Sequence, residues 1–115
     1  HVVDVLHRVR GPFNVSAPAI EAGIAAVQDT DFVRKTREFN TQQLAWLSGE
    51  LTKLGLKVYP SIANFVLVGF KNAEAASAAN NHLMENGLIV REVAAYGLPD
   101  ALRITIGLEE DNQAV

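Results

Sequence analysis

The segments that join the predicted β-strands are short, and this restricts the possible folds of the chain more than any other feature. "LKVYP" (56–60) and "ANFVLVGF" (63–70) have two residues between them, and "LIVREV" (88–93) leads to "ALRITIG" (101–107) through the turn "AAYGLPD". Their β-branched and aromatic residues are typical of strands. A parallel connection needs a crossover of about a dozen residues or more. The sheet is therefore predicted to be mainly antiparallel.

Helical periodicity and capping residues place helices before, between and after these strands. The predicted helices lie within residues 17–28, 29–55 and 73–86, and a last helix begins in "GLEEDNQAV" (107–115). The predicted N-caps are Ser16, Thr30 and Asn72, and the glycines that follow helix ends are Gly55 and Gly87. This order, α–α–β–β–α–β–β–α after an amphipathic opening stretch, predicts an α+β fold of two layers, with a small, mainly antiparallel sheet and helices on one face.

Composition indicates one globular domain and excludes several classes of protein. The 115 residues are 49% hydrophobic and 20% charged, with a net charge of −3 and no cysteine. Without a clustered basic face we expect no binding to nucleic acid. Without a long apolar run or a signal peptide we expect no membrane association and a cytoplasmic location. Because the chain lacks an initiator Met and ends soon after its last helix begins, we expect a piece of a longer protein.

Few residues of the chain indicate a catalytic or ligand-binding role. There is no glycine-rich phosphate loop, no nucleophile elbow and no pair of histidines at metal-ligand spacing, so the sequence predicts no catalytic group and no metal site. Two strand arginines remain, Arg91 in "LIVREV" and Arg103 in "ALRITIG". A guanidinium suits bidentate binding of a carboxylate or phosphate, but strand arginines also serve as solvated edge residues that prevent pairing with other chains. The pattern alone leaves both interpretations open.

Four segments carry a resemblance to a known family: "RVRGPFNVSAPA", "PSIANFVLV", "GLIVREVAAYGLPDALRITIG" and "EEDNQAV". In this order they resemble the C-terminal part of the histidinol-phosphate aminotransferases, pyridoxal-phosphate enzymes of the aspartate-aminotransferase fold. The resemblance covers essentially the whole chain. It implies that residues 1–115 form a single domain, the small C-terminal domain, with 1–29 as a linking and interface segment. The large cofactor-binding domain would then be absent from this chain.

The resemblance also implies roles for three residues. The arginine of the family's L-R-I-T-I-G strand clamps the α-carboxylate of the amino-acid substrate, which here falls on Arg103, and Arg91 would help to bind the substrate phosphate. Asn14 matches a loop that reaches the dimer interface beside the partner's active site, although an asparagine tying down its own turn explains that residue equally well. The implied substrates are histidinol phosphate and glutamate or 2-oxoglutarate, within histidine biosynthesis, and the implied assembly is a homodimer.

The cofactor-binding residues of the family pattern are missing from the chain, and the largest absence is that of a lysine. The Schiff-base lysine lies in a serine–lysine segment followed by glycines and an arginine, and this sequence has no such segment. Pyridoxal 5'-phosphate is therefore expected in the full-length enzyme and not tightly bound to this chain alone, which is predicted to be inactive by itself. Three alternatives stay open: an aminotransferase for aromatic or other substrates, a stand-alone regulatory domain that binds a small anion, and a structural interaction domain whose arginines form only surface ion pairs.

Overall fold

Two units make up the structure, a computed structural model that describes residues 1–11 and 15–115. The first unit comprises residues 1–35 and the second residues 36–115. Asn14, the predicted loop residue, lies outside the described residues. Along those residues no helix combines the length and apolar character that a membrane crossing requires.

The first unit is helical and leaves its apolar side chains exposed. It contains α1 (Val2–Val9), α2 (Ala17–Gln28) and the start of α3 (Thr30–Lys53). The amphipathic opening stretch, which was not counted among the predicted helices, forms α1. Ser16 accepts a hydrogen bond from the Ala19 N–H at 3.4 Å, which confirms the predicted N-cap of α2. None of the residues of α1 and α2 is buried.

The predicted N-cap of α3 is wrong by one residue. The helix begins at Thr30, and the residue before it, Asp29, accepts a hydrogen bond from the Phe32 N–H at 2.9 Å. Both side chains can cap a helix, but the carboxylate also brings negative charge to the positive end of the helix dipole. The electrostatic gain favours Asp29 over Thr30.

The second unit contains the sheet. Its remaining elements are β1 (Lys57–Tyr59), β2 (Phe65–Gly69), α4 (Ala73–Glu85), β3 (Arg91–Glu92), a 3-10 helix (Ala94–Tyr96), β4 (Ala101–Thr105) and α5 (Glu109–Ala114). The strand order is β1-β2-β4-β3, and every neighbouring pair is antiparallel. The predicted antiparallel sheet and the α+β class are thereby confirmed. Asn72 caps α4 as predicted, accepting from the Ala75 N–H at 2.9 Å.

The core lies on one face of the sheet. Val66 and Val68 of β2 are paired with Ile104 and Leu102 of β4, and all four side chains are buried. The buried residues Leu47 and Leu51 of α3 pack against this face. Alternation along a strand sends the next residues to the opposite face. Arg103 therefore points away from the helices, as the sequence pattern predicts.

Strand β3 is shorter than predicted. The pattern indicates a strand over residues 88–93, whereas only Arg91 and Glu92 pair with β4. The chain turns at once into the 3-10 helix, where the Tyr96 N–H donates to the Val93 carbonyl at 2.9 Å. Gly97 ends this helix with a φ of 81°, a left-handed conformation that glycine adopts without strain. This turn removes only Val93 from the predicted strand. At the other end, Leu88 N–H donates to the Leu83 carbonyl of α4 at 2.8 Å, and pairing with β4 begins only at Arg91.

A buried side-chain amide connects the C-terminal end of the β4 segment with α3 through hydrogen bonds. Asn112 of α5 is 4% exposed, and its Nδ2 donates to Gln43 Oε1 at 2.9 Å and to the Gly107 carbonyl at 3.1 Å. Its Oδ1 accepts from the Gly107 N–H at 2.9 Å. The three hydrogen bonds of Asn112 join α3, the end of the β4 segment and α5.

Candidate functional site

The two strand arginines are neighbours on the face of the sheet opposite the core. Arg91 of β3 and Arg103 of β4 are Cα partners, and on its other side Arg103 is paired with Leu67 of β2. Directly opposed residues of an antiparallel pair share a face, with Cβ atoms roughly 4.5–5.5 Å apart. The register therefore brings together the two residues that the sequence analysis singled out.

Arg103 is held between inner strands and an aromatic ring. Its side chain is half-buried, and its guanidinium carbon lies 5.1 Å from the centroid of the Phe65 ring. The Nε atom is shielded from solvent and has no hydrogen-bond partner among the described residues. A buried donor without an acceptor costs about 1–3 kcal/mol. Because β4 has neighbours on both sides, protection of a sheet edge does not explain Arg103.

Arg91 lies at the sheet edge and is held by a tyrosine. Its Nη2 donates to the Tyr96 hydroxyl at 3.2 Å, and its guanidinium carbon lies 5.9 Å from the centroid of that ring. Tyr96 comes from the 3-10 helix directly after β3, so the turn that shortens the strand also places the ring beside Arg91. Both arginines are thus supported on aromatic side chains, which limits their motion while leaving them charged.

The local charge is uncompensated within the described part of the chain. The ion pairs given by the structure lie elsewhere, between the N-terminal amine and Asp4, Arg34 and Asp31, and Lys53 and Glu50. Glu92, the acid nearest in sequence to Arg91, is paired with Leu102 and so lies on the other face of the sheet. Like charges placed directly opposite one another destabilise a sheet. The pair is therefore a candidate position for an anion, whose negative charge would offset that repulsion.

Two aromatic residues of this site, Tyr96 and Phe65, are not predicted from the sequence. Tyr96 was assigned to a turn and Phe65 to a strand, without a role for either. No sequence signal places Phe65 at Arg103, because the contact depends on the register between β2 and β4. For Tyr96 a weak signal exists, since a residue in a short turn after a strand stays close to that strand.

The lysines of the chain do not fit the imine-forming role in a pyridoxal-phosphate enzyme. A lysine of that kind is desolvated in an apolar pocket or placed beside another cation. Lys35, Lys53, Lys57 and Lys71 are all exposed. Lys53 pairs with Glu50 at 2.6 Å, and Lys57 Nζ lies 4.6 Å from the Tyr59 ring centroid. Nor do the described histidine, aspartate and glutamate side chains form a cluster that could hold a metal ion.

The comparison with known families decides the classification. A family model for aminotransferase class I and II matches residues 1–115. The chain belongs to this family. Histidinol-phosphate aminotransferases from Maricaulis maris and Paramagnetospirillum magneticum are 50% and 52% identical to this aminotransferase segment, over 97% and 100% of it. The segment spans 32% of the length of each of these curated relatives.

A solved structure agrees with this classification. The aminotransferase segment resembles the crystal structure of histidinol-phosphate aminotransferase from Sinorhizobium meliloti in complex with pyridoxal-5'-phosphate, with a TM-score of 0.77 and 25% identity. The match covers 96% of the segment and 30% of that protein. The family resemblance inferred from the motifs is therefore confirmed. The segment has the fold of a part of these enzymes.

Proposed function

We propose that this segment is the small C-terminal domain of a pyridoxal-phosphate-dependent aminotransferase that acts on histidinol phosphate and 2-oxoglutarate. The observation that carries the proposal is the pair of directly opposed arginines, Arg91 and Arg103, with no ion-pair partner in the described chain. The names of the relatives, at about half identity over the whole segment, support the same substrate.

In this proposal each of the two arginines binds a different anionic group. Arg103 binds the α-carboxylate of glutamate or 2-oxoglutarate in one half-reaction, since a planar guanidinium matches a carboxylate with two parallel hydrogen bonds. Arg91 contributes to binding the phosphate of histidinol phosphate in the other. Both side chains extend from β-strands and pack against aromatic rings, so each guanidinium group has a defined orientation toward a bound anion. Fixed orientation of the reacting bond is what such a clamp supplies to catalysis.

The cofactor of the proposed enzyme is pyridoxal 5'-phosphate, which supplies the electron sink for transamination. The exposed lysines and the missing serine–lysine segment indicate that the groups holding it come from outside this chain. The 115-residue chain alone is accordingly expected to be inactive and to bind the cofactor weakly. The proposal further includes a homodimer with the Asn14 loop at its interface. Residues 1–29 form the linking segment, and the location is cytoplasmic.

Steady-state kinetics of the full-length protein test this function. Arg103→Ala is expected to raise the KM for 2-oxoglutarate about 30-fold or more, the effect of removing one partner of a hydrogen-bonded ion pair. Arg91→Ala is expected to raise the KM for histidinol phosphate about tenfold and leave that for 2-oxoglutarate within about twofold. Arg37→Ala, an exposed arginine of α3, is the matched control. Normal kinetics in the Arg103 variant, or preference for an aromatic amino acid over histidinol phosphate, contradicts the proposal.

A further inference from the structure

We infer that the Tyr96 hydroxyl is a second hydrogen-bond donor for the phosphate at Arg91, and so helps to determine specificity for a phosphate monoester. The inference rests on the proposed function, because it assigns a residue to the phosphate end of the same site. It begins from the contact between Arg91 Nη2 and the Tyr96 hydroxyl oxygen, 3.2 Å apart.

The direction of this hydrogen bond leaves the hydroxyl proton unused. A guanidinium only donates, so the tyrosine oxygen is the acceptor. Among the residues that the structure describes, no acceptor is given for the proton of Tyr96. The residue is 68% exposed, so a bound ligand can reach it. Tyr96 therefore offers one donor beside those that remain on Arg91.

The chemistry of the two anions explains why this extra donor favours phosphate. A carboxylate has two oxygens, and one guanidinium satisfies both through its planar fork. A phosphate monoester carries more charge and three terminal oxygens, so it accepts from additional groups. Arg103 has a phenylalanine beside it, which offers no donor, whereas Arg91 has a tyrosine. The neighbouring ring thus distinguishes a carboxylate position from a phosphate position.

The hydroxyl is not needed to hold the fold. The turn that contains Tyr96 is closed by backbone hydrogen bonds, from Tyr96 N–H to Val93 and from Gly97 N–H to Ala94, both at 2.9 Å. The ring lies outside the buried core. Replacing Tyr96 by phenylalanine keeps the ring and its packing against the Arg91 guanidinium, and removes only the hydroxyl group. Tyr96→Phe is therefore a test of binding and not of folding.

The experiment compares the full-length wild type with Tyr96→Phe on histidinol phosphate and on histidinol, which lacks the phosphate. We expect about a tenfold rise in KM for histidinol phosphate, the usual effect of removing a hydrogen bond to a charged group. The KM values of Tyr96→Phe for histidinol and for 2-oxoglutarate should stay within about twofold of those of the wild type. Inhibition by inorganic phosphate should weaken to a similar extent. Tyr59→Phe, whose ring lies beside Lys57 on the opposite edge strand, is the matched control.

The outcomes separate the inference from the function on which it rests. A wild type that does not transaminate histidinol phosphate overturns the proposed function. A wild type that does so, with Tyr96→Phe unchanged on every substrate, overturns only the role of Tyr96. An equal loss for histidinol and histidinol phosphate also overturns it. Since Tyr96 also holds Arg91, the substitution is repeated in the Arg91→Ala enzyme, where a further rise in KM for histidinol phosphate is expected if the hydroxyl itself contacts the phosphate, and no further rise overturns that contact.

Discussion

Arg91 and Arg103 are directly opposed across the β3–β4 pair, and the described chain places no acid between them. The arrangement costs stability in the absence of an anion, since like charges at opposed positions repel. A surface selected only for stability or solubility gains nothing from it. The relationship is consistent with the proposed role of the pair, which is to bind the anionic group of a substrate.

Removing one of the two charges should stabilise the isolated 115-residue chain. We expect Arg91→Gln to raise its free energy of unfolding by about 0.2–1 kcal/mol in low salt, measured by urea denaturation. Raising the salt to about 1 M screens the repulsion and should reduce the difference between variant and wild type. Because Arg91→Gln also removes the contacts with Tyr96, the salt dependence is the deciding measurement: a difference in stability that is the same at low and high salt shows that the two charges do not interact as described.

The Asn112 amide should contribute strongly to stability. Asn112→Ala leaves the Gly107 backbone groups and Gln43 without their partner, and we expect a loss of about 1–3 kcal/mol in the free energy of unfolding. Gln113→Ala on the same helix removes only an exposed contact with Glu109 and should change the value by less than about 0.5 kcal/mol. Equal effects of the two substitutions speak against a special role for the buried amide.

Two glycine-to-alanine substitutions should have opposite effects on the free energy of unfolding. A Cβ at Gly107 lies 3.0 Å from both the Cβ and the Oδ2 of Asp111, which accepts from the Leu108 N–H at 3.1 Å. Gly107→Ala should therefore disturb the start of α5 and cost about 1–3 kcal/mol. At Gly49, inside α3, a Cβ meets nothing within 4 Å. Gly49→Ala should stabilise the chain by about 0.5–1 kcal/mol through its higher helix propensity. Urea denaturation of both variants checks the pair.

The ring beside Arg103 should affect binding of the carboxylate substrate. In the full-length protein, Phe65→Leu keeps an apolar side chain but removes the cation–π contact, and we expect the KM for 2-oxoglutarate to rise about two- to fivefold. Phe39 is a partly exposed residue of α3, and Phe39→Leu should leave the KM for 2-oxoglutarate unchanged. If the Phe65 variant retains the wild-type KM, the ring does not position the guanidinium.

Local signals in the sequence predicted much of the fold. The caps Ser16 and Asn72 depend on residues within one helical turn, and the short strand links restrict pairing to antiparallel geometry. The N-cap of α3 was missed because Asp29 and Thr30 are adjacent and both able to cap. The extent of β3 differs from the prediction at both ends: Leu88 is hydrogen-bonded to the end of α4, and the 3-10 turn at residues 94–96 follows directly after Val93.

The site was only partly predictable for a different reason. Arg91 and Arg103 could be selected by residue type, and their roles could be inferred only from the family resemblance. That the two lie opposite each other depends on the register of β3 and β4, which no short-range pattern contains. The same holds for Phe65, whose contact with Arg103 joins residues distant in sequence.

The junction at Asn112 also has a mechanical meaning. It connects Gln43 of the long helix with Gly107, four residues beyond Arg103 on the same chain segment. Asn112 is joined to Gln43 by one hydrogen bond and to Gly107 by two, so its side chain bridges the helix and the segment that follows β4. A shift of α3 relative to this segment breaks the hydrogen bond to Gln43, so under the proposed function the orientation of Arg103 toward a substrate depends on the position of the helix.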